Sequence, residues 1–169
     1  MKQLFLSLCL LVAASMFAQA EDQNFYLNDD KISWQKAYAT EKSKEEVYQY
    51  FENSDIFQKV KQEGNLIIGR LNYYSVDVKK VGIVGVPQIV QKTDFTANVS
   101  ISYRPEEKDY VVSLSDLVFV GRGDFLKKKE EKPLEEQFVR TGYNEYRPGF
   151  LKRPKEVYNT TISPIFEMP

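Results

Sequence analysis

Carboxylates, lysines, arginines, serines and tyrosines are the side chains this sequence offers for chemistry. Its 169 residues include no histidine and a single cysteine, Cys9, which lies inside an apolar N-terminal run. Beyond that run there is no thiol nucleophile, no imidazole base and no donor set for a transition metal of ordinary composition. Two well-separated carboxylates would suffice for glycoside hydrolysis. The 24 Asp and Glu residues, however, show no spacing that singles out a pair. Gly82-Ile83-Val84-Gly85 lacks the Lys-Ser/Thr of a phosphate-binding loop and the third glycine of a dinucleotide fingerprint. Arg122-Gly123-Asp124 spells the cell-adhesion tripeptide, a match short enough to recur by chance. No cofactor is implied. A formal net charge of −1 provides no basic excess for a phosphate backbone, so nucleic acid is not an expected partner.

Binding chemistry has a clearer address. Phe95, Ala97, Val99, Ile101 and Tyr103 alternate with Asp94, Thr96, Asn98, Ser100 and Ser102, a period of two that puts the apolar set on one face of a strand. The polar set faces the other way. Thr96, Asn98, Ser100 and Ser102 are therefore the candidate partner surface. Arg104 to Asp109 reads as a turn with Pro105 at its second position. Tyr110 to Val120 returns as a second strand. Such a hairpin has one wet and one buried face, and the buried one needs a cover.

The cover is expected from the preceding segment. Ser43 and Glu46 form a capping box at the start of a helix, on which Val47, Tyr50 and Phe51 share one face, with Phe57 just beyond its end. Before it, Lys31 to Thr40 reads as a strand with Ile32, Trp34 and Tyr38 inward, and Lys36 marks it as an edge. After it, Glu63-Gly64-Asn65 turns between Val60 to Gln62 and Leu66 to Tyr73, with Ile67, Gly69 and Leu71 on one side and Leu66 and Ile68 on the other. Val76 to Lys92, broken by Gly82, Gly85 and Pro87, reads as a long arm or an edge loop, with a ligand lid as the alternative. Beyond Val120, Lys127 to Lys132 is a solvated connector, Pro133 opens a short helix docked by Leu134, Phe138 and Val139, Tyr143 to Leu151 is a loop, and Val157 to Ile162 reads as a strand. The expected organisation is a signal peptide over 1–20, a polar leader over 21–30, an α+β domain over 31–120 and an irregular C-terminal extension over 121–169.

Met1 to Ala20 carries the export features: Lys2, the apolar Leu4 to Val12, and the small-x-small site Ala18-Gln19-Ala20. The apolar core is too short to span a bilayer, and Cys9 lies within it, with bulky Leu8 before it, so cleavage and not lipidation is expected. No transmembrane anchor remains after cleavage. A chain without cysteine past this point uses no disulfide, which suits a bacterial envelope.

Several stretches together resemble a known family. Ile32-Ser33-Trp34-Gln35-Lys36 running into Ser43-Lys44-Glu45-Glu46-Val47-Tyr48, then Asp109-Tyr110-Val111-Val112 and Asn144-Glu145-Tyr146-Arg147-Pro148-Gly149-Phe150, are similar to secreted proteins of Gram-negative, Bacteroidota-type gut bacteria that carry a TBP-like domain of unknown function. The resemblance covers about Lys31 to Val120. It implies one main helix packed on a curved antiparallel sheet in the order β-α-β-β-β-β, and a periplasmic or cell-envelope location. It supplies no catalytic residue.

The leading functional expectation is a non-enzymatic envelope protein that binds a protein or polysaccharide. An apolar-ligand carrier is the alternative, because a helix on a curved sheet can enclose a cavity, and 11 Tyr and 11 Phe residues are available to line one. A carboxylate-dependent hydrolase ranks third.

Overall fold

The alternation at residues 94–103 becomes one strand of a large antiparallel sheet in the computed structural model, which describes residues 24–169. The segment Met1–Ala20, read as an export signal, lies outside the described residues. In chain order the elements are β1 (Phe25–Asn28), β2 (Lys31–Ala39), α1 (Lys44–Glu52), β3 (Phe57–Glu63), β4 (Leu66–Leu71), α2 (Val78–Val81), α3 (Gln88–Lys92), β5 (Thr93–Arg104) and β6 (Asp109–Gly121). They are followed by β7 (Glu131–Pro133), α4 (Leu134–Phe138), β8 (Val139–Arg140), β9 (Glu145–Tyr146), α5 (Pro148–Lys152) and α6 (Pro154–Ile162). The main sheet runs β1-β2-β6-β5-β4-β3, with β7 on the far end of β6. Every pairing in it is antiparallel. The α+β class read from the sequence is the observed one.

The hairpin of β5 and β6 forms its centre. Arg104 faces Asp109 across the last pair of the ladder. Its guanidinium grips that carboxylate with two charge-assisted bonds, Nε to Oδ1 at 2.8 Å and Nη2 to Oδ2 at 2.5 Å. Phe95, Ala97, Val99 and Ile101 point into the core, each at most 4% exposed. Helix α1 covers Val99 and Ile101 with Phe51, as expected, whereas Phe95 packs on Tyr158. Ser43 Oγ accepts from the Glu46 amide, and the Glu46 side chain accepts from the Ser43 amide. The Ser43 amide and then its hydroxyl, both donating to the carboxylate, hold the Glu46 carboxyl below the usual range. Val47 and Phe51 are buried.

The rest of the cover was not expected where it is found. The segment after Val120, expected as an irregular extension, supplies Phe138, Phe150, Val157, Tyr158, Ile162 and Phe166 to the same core as Trp34 and Phe51. Residues 154–162 form helix α6 where a strand was expected. Pro154 lies in its first turn and Glu156 favours that end of the dipole. The β-branched run is helical because Val157 and Ile162 are fully buried there, and packing outweighs a preference of tenths of a kcal/mol per residue. Tyr143 to Leu151 contains β9 and most of α5 as well as loop.

Two further expectations are corrected. The leader over 21–30 contains β1, whose Phe25 is buried against Phe150 with ring centroids 5.2 Å apart. Val76 to Lys92 is no free arm. It carries α2 and α3, and Val76, Val86, Ile89 and Val90 are buried. Strand β2 is flanked by β6 along Trp34–Ala39 and by β1 along Lys31–Trp34, so each half has one strand neighbour. The Ile32 amide, beyond the reach of β6, donates to Glu135, and the Lys36 half is the open edge. There the Lys36 ammonium rests 5.1 Å from the Tyr38 ring centre.

Candidate functional site

The face of the sheet opposite the helices is where the candidate residues must be tested, and it is open. Gln35, Ala37, Asn98, Ser102 and Ser115 point outward and are exposed, and Ser100 is half-buried. Thr96 is not part of this surface. It is 1% exposed, and its hydroxyl is fully engaged, donating to the Leu71 carbonyl at 2.5 Å and accepting from Arg70 Nε at 3.3 Å. Period-two parity places Thr96 outward correctly. Exposure fails because the Arg70 side chain lies over it. Ser102 shares the face nearer the hairpin turn, where it pairs with Leu66 and Val111.

Asn98 and Ser100 belong to an open depression of about 480 Å³ that crosses β3, β4, β5 and β6. Its polar lining is Lys59, Lys61, Arg70, Asn98, Ser100 and Ser115, with Ile68 and the Gly69 and Val99 backbone completing the floor. Two irregularities in the ladders shape it. On β3, Gln58 pairs with Arg70 but Lys61 pairs with Ile68, so β3 carries one residue more than β4. This is a β-bulge, which re-aims side chains and increases local twist. It turns Phe57 and Val60 both toward the core while Gln58, Lys59 and Lys61 remain outside. Strict alternation would send Val60 outward with Gln58. Lys59 takes up the extra residue at φ 56°, a left-handed conformation uncommon for a residue with a Cβ.

The second bulge is on β6. Thr96 pairs with Val118 and Asn98 with Ser115, so Asp116 and Leu117 together oppose Ala97. Asp116 sits at φ 48°, Leu114 and Leu117 both face the core, and Ser115 and Asp116 both face solvent. Asn98 Nδ2 donates to Asp116 Oδ2 at 2.8 Å, which fixes the amide at the rim. Arg70 is oriented by Thr96 and by Glu131, whose carboxylate lies 3.7 Å from Nη2. The sequence reading missed Lys59, Lys61, Arg70 and Ser115. Arg70 was within reach, because Ile67, Gly69 and Leu71 facing inward forces Arg70 outward. Lys59 was not, because a bulge leaves no mark in a pattern of alternation.

The other functional expectations fare differently. Between α1 and the sheet, Phe51, Phe57, Val60, Ile67 and Ile101 close round a void of about 10 Å³, room for roughly one water. The apolar-carrier alternative therefore has no chamber there. Among the described residues no group of three or more Asp and Glu is gathered in metal-binding geometry. Arg122 of the adhesion tripeptide is tied down by the Gln91 carbonyl at 2.6 Å and by Asp94 at 3.8 Å, so that motif is not presented freely. No helix of the described residues is long and apolar enough to cross a membrane.

No protein-family model matches the chain, and no curated protein matches it. Two solved structures are similar to it. One is a TBP-like protein from Parabacteroides distasonis ATCC 8503, 13% identical, with a TM-score of 0.49 over 83% of this chain and 91% of that one. The other is a DUF4468 family protein from Bacteroides ovatus ATCC 8483, 14% identical, with a TM-score of 0.46 over 86% of this chain and 92% of that one.

Proposed function

We propose that the protein is a non-enzymatic binding module of the bacterial cell envelope, exported by its N-terminal segment, and that it engages a protein or polysaccharide partner with the open face of its sheet. The observation that carries this reading is the asymmetry of the sheet. Helix α1 closes on one face round a void of only about 10 Å³. The concavity of about 540 Å³ on that side is lined by α1 and its flanking residues with Met168 and Pro169, and by no strand residue. The other face holds a polar depression built across four strands. A rigid sheet displaying side chains outward suits recognition, because its contacts need little ordering on binding. Catalysis by paired carboxylates finds less support: the depression has no carboxylate in its lining, and glycosyl transfer calls for two of them flanking the scissile bond.

The test is a titration of isotope-labelled protein with the solubilised polysaccharide and protein fractions of a bacterial envelope, read by backbone amide shifts. The expected result is a set of shifts confined to Lys59, Lys61, Ile68, Asn98, Ser100 and Ser115. Shifts concentrated on α1 and α6, or none with either fraction, would overturn the proposal.

A further inference from the structure

Resting on that reading, we propose that the depression takes an acidic polysaccharide, whose acid groups meet Lys59, Lys61 and Arg70 while its hydroxyls meet Asn98, Ser100 and Ser115. The charge argument comes first. The chain as a whole is nearly neutral, at −1, yet Lys59, Lys61 and Arg70 line this one depression. Glu131 offsets Arg70 and Asp116 stands on Asn98 at the rim, so the two lysines are its excess charge. Neither Lys59 nor Lys61 has an ion-pair or hydrogen-bond partner among the described residues, whereas Arg104, Arg122 and Arg140 are each engaged with carboxylates. Unneutralised charge in a concave site focuses the potential and draws in anions. Arg70 is held by Thr96 and Glu131, so it is presented in place and not as a free chain.

The backbone accounts for how the two lysines reach this face. The β3 bulge puts Lys59 at φ 56°, and strain of this kind persists only where the surrounding structure imposes it. A regular strand would carry Lys59 and Lys61 toward the core with Phe57. The bulge keeps the core filled by Val60 and turns both ammonium groups to the depression.

The neutral part of the lining decides between kinds of polyanion. Strands β4 and β5 have neighbours on both sides, so a peptide laid over the floor of the depression finds no free backbone groups to pair with. Strand addition near it is open only at the outer edge of β3, beside the depression and not across it. No aromatic ring lines the depression, so stacked bases have no platform. Hydroxyls, an amide and cations with one half-buried apolar side chain, Ile68, match a chain of sugars carrying acid groups.

The experiment compares three probes of known chemistry on the full protein: alginate oligosaccharide, an uncharged dextran of similar length, and poly-glutamate of similar charge. Binding is followed by amide shifts and by calorimetry. Alginate is expected to bind at the depression and to weaken as salt rises and screening shortens. Lys59→Glu with Lys61→Glu should weaken it by roughly tenfold or more, whereas the equal charge change Lys128→Glu with Lys129→Glu leaves it unchanged. Lys61→Glu alone, at an ordinary strand position, gives the same direction if the double variant folds poorly. Dextran binding on this face as tightly as alginate overturns the anionic reading while the binding face stands. Poly-glutamate binding as tightly as alginate overturns the polysaccharide in favour of an acidic peptide. No binding of alginate, with the envelope fractions still shifting the same amides, overturns this inference alone.

Discussion

Trp34 and Asn159 meet in the core although 125 residues separate them, the indole Nε1 donating to Asn159 Oδ1 at 2.9 Å. The bond ties β2, near the start of the described chain, to α6, near its end. The adjacent stacking of Trp34 on Phe166, with ring centroids 5.9 Å apart, seals the same corner. Asn159→Leu keeps the bulk and removes the acceptor, leaving the buried indole N–H unpaired. The expected loss is about 1–3 kcal/mol, read as a lower urea midpoint with an unchanged slope. A midpoint equal to that of the parent would show that another acceptor takes the indole.

Helix α1 provides a pair of graded tests. Ser43→Ala removes the acceptor for the Glu46 amide and should cost about 1 kcal/mol. Phe51→Ala empties a site in which the ring is packed edge-on to Phe57 at 5.4 Å and to Tyr110 at 5.9 Å. That loss should reach about 3–5 kcal/mol. Urea melts that rank the two in the reverse order would contradict the packing of this face.

The two faces of β5 should respond oppositely to the same substitution. Ile101→Asp buries an unpaired carboxylate at a position 2% exposed, and several kcal/mol of stability should be lost, of the order of 3 or more. Ser100→Asp faces the depression and should shift stability by under about 0.5 kcal/mol. It also places a negative charge among Lys59, Lys61 and Arg70, so it should weaken alginate binding while the fold survives. Equal destabilisation by the two variants is the contrary result.

Lys59 offers a substitution that separates stability from binding. Its left-handed backbone costs a Cβ-bearing residue roughly 1–2 kcal/mol, and glycine removes that strain but adds about 0.5–1 kcal/mol of unfolded-chain entropy. Strain relief wins by a small margin. Lys59→Gly should therefore leave the melting temperature equal or slightly higher while reducing the affinity for alginate. A clear drop in melting temperature would show that the Lys59 side chain has a structural duty.

Alkaline pH should unfold the protein before mild acid does. Burial pushes Tyr110 up to about 12, pushes Tyr146 up to about 12, and raises Tyr38 and Tyr158 as well. Each is held neutral in the fold, whereas an unfolded tyrosine ionises near about 10. Above that value the unfolded chain binds fewer protons than the native one, so stability falls as pH rises. Their contribution is fully present below about 10 and is lost as pH climbs through about 12. With no histidine in the chain, urea midpoints should change little between about pH 6 and 9. A midpoint constant from pH 9 to 11 would contradict the burial of these hydroxyls.

Local rules were enough for part of this protein. The alternation from Asp94 to Tyr103, the Ser43–Glu46 box, the turn at Gly64-Asn65 with Gly64 at φ 62°, and the inward set Ile67, Gly69 and Leu71 are each written within a dozen neighbouring residues, because hydrogen-bond closure and side-chain parity act over that range. The α+β class followed from them. Tertiary structure decided what those rules do not reach. Residues 154–162 became a helix because the face of the hairpin needed more cover than α1 provides, and burying Val157, Tyr158 and Ile162 outweighs their β preference. Thr96 lost its exposure to Arg70, which arrives from another strand. Lys59 and Asp116 were turned outward by bulges that exist so that Phe57 with Val60, and Leu114 with Leu117, can all face one core. Parity assigns a face to each residue of a regular strand, but only the packing of that core determines where a strand must carry one residue too many, and the depression on the open face is made at those two places.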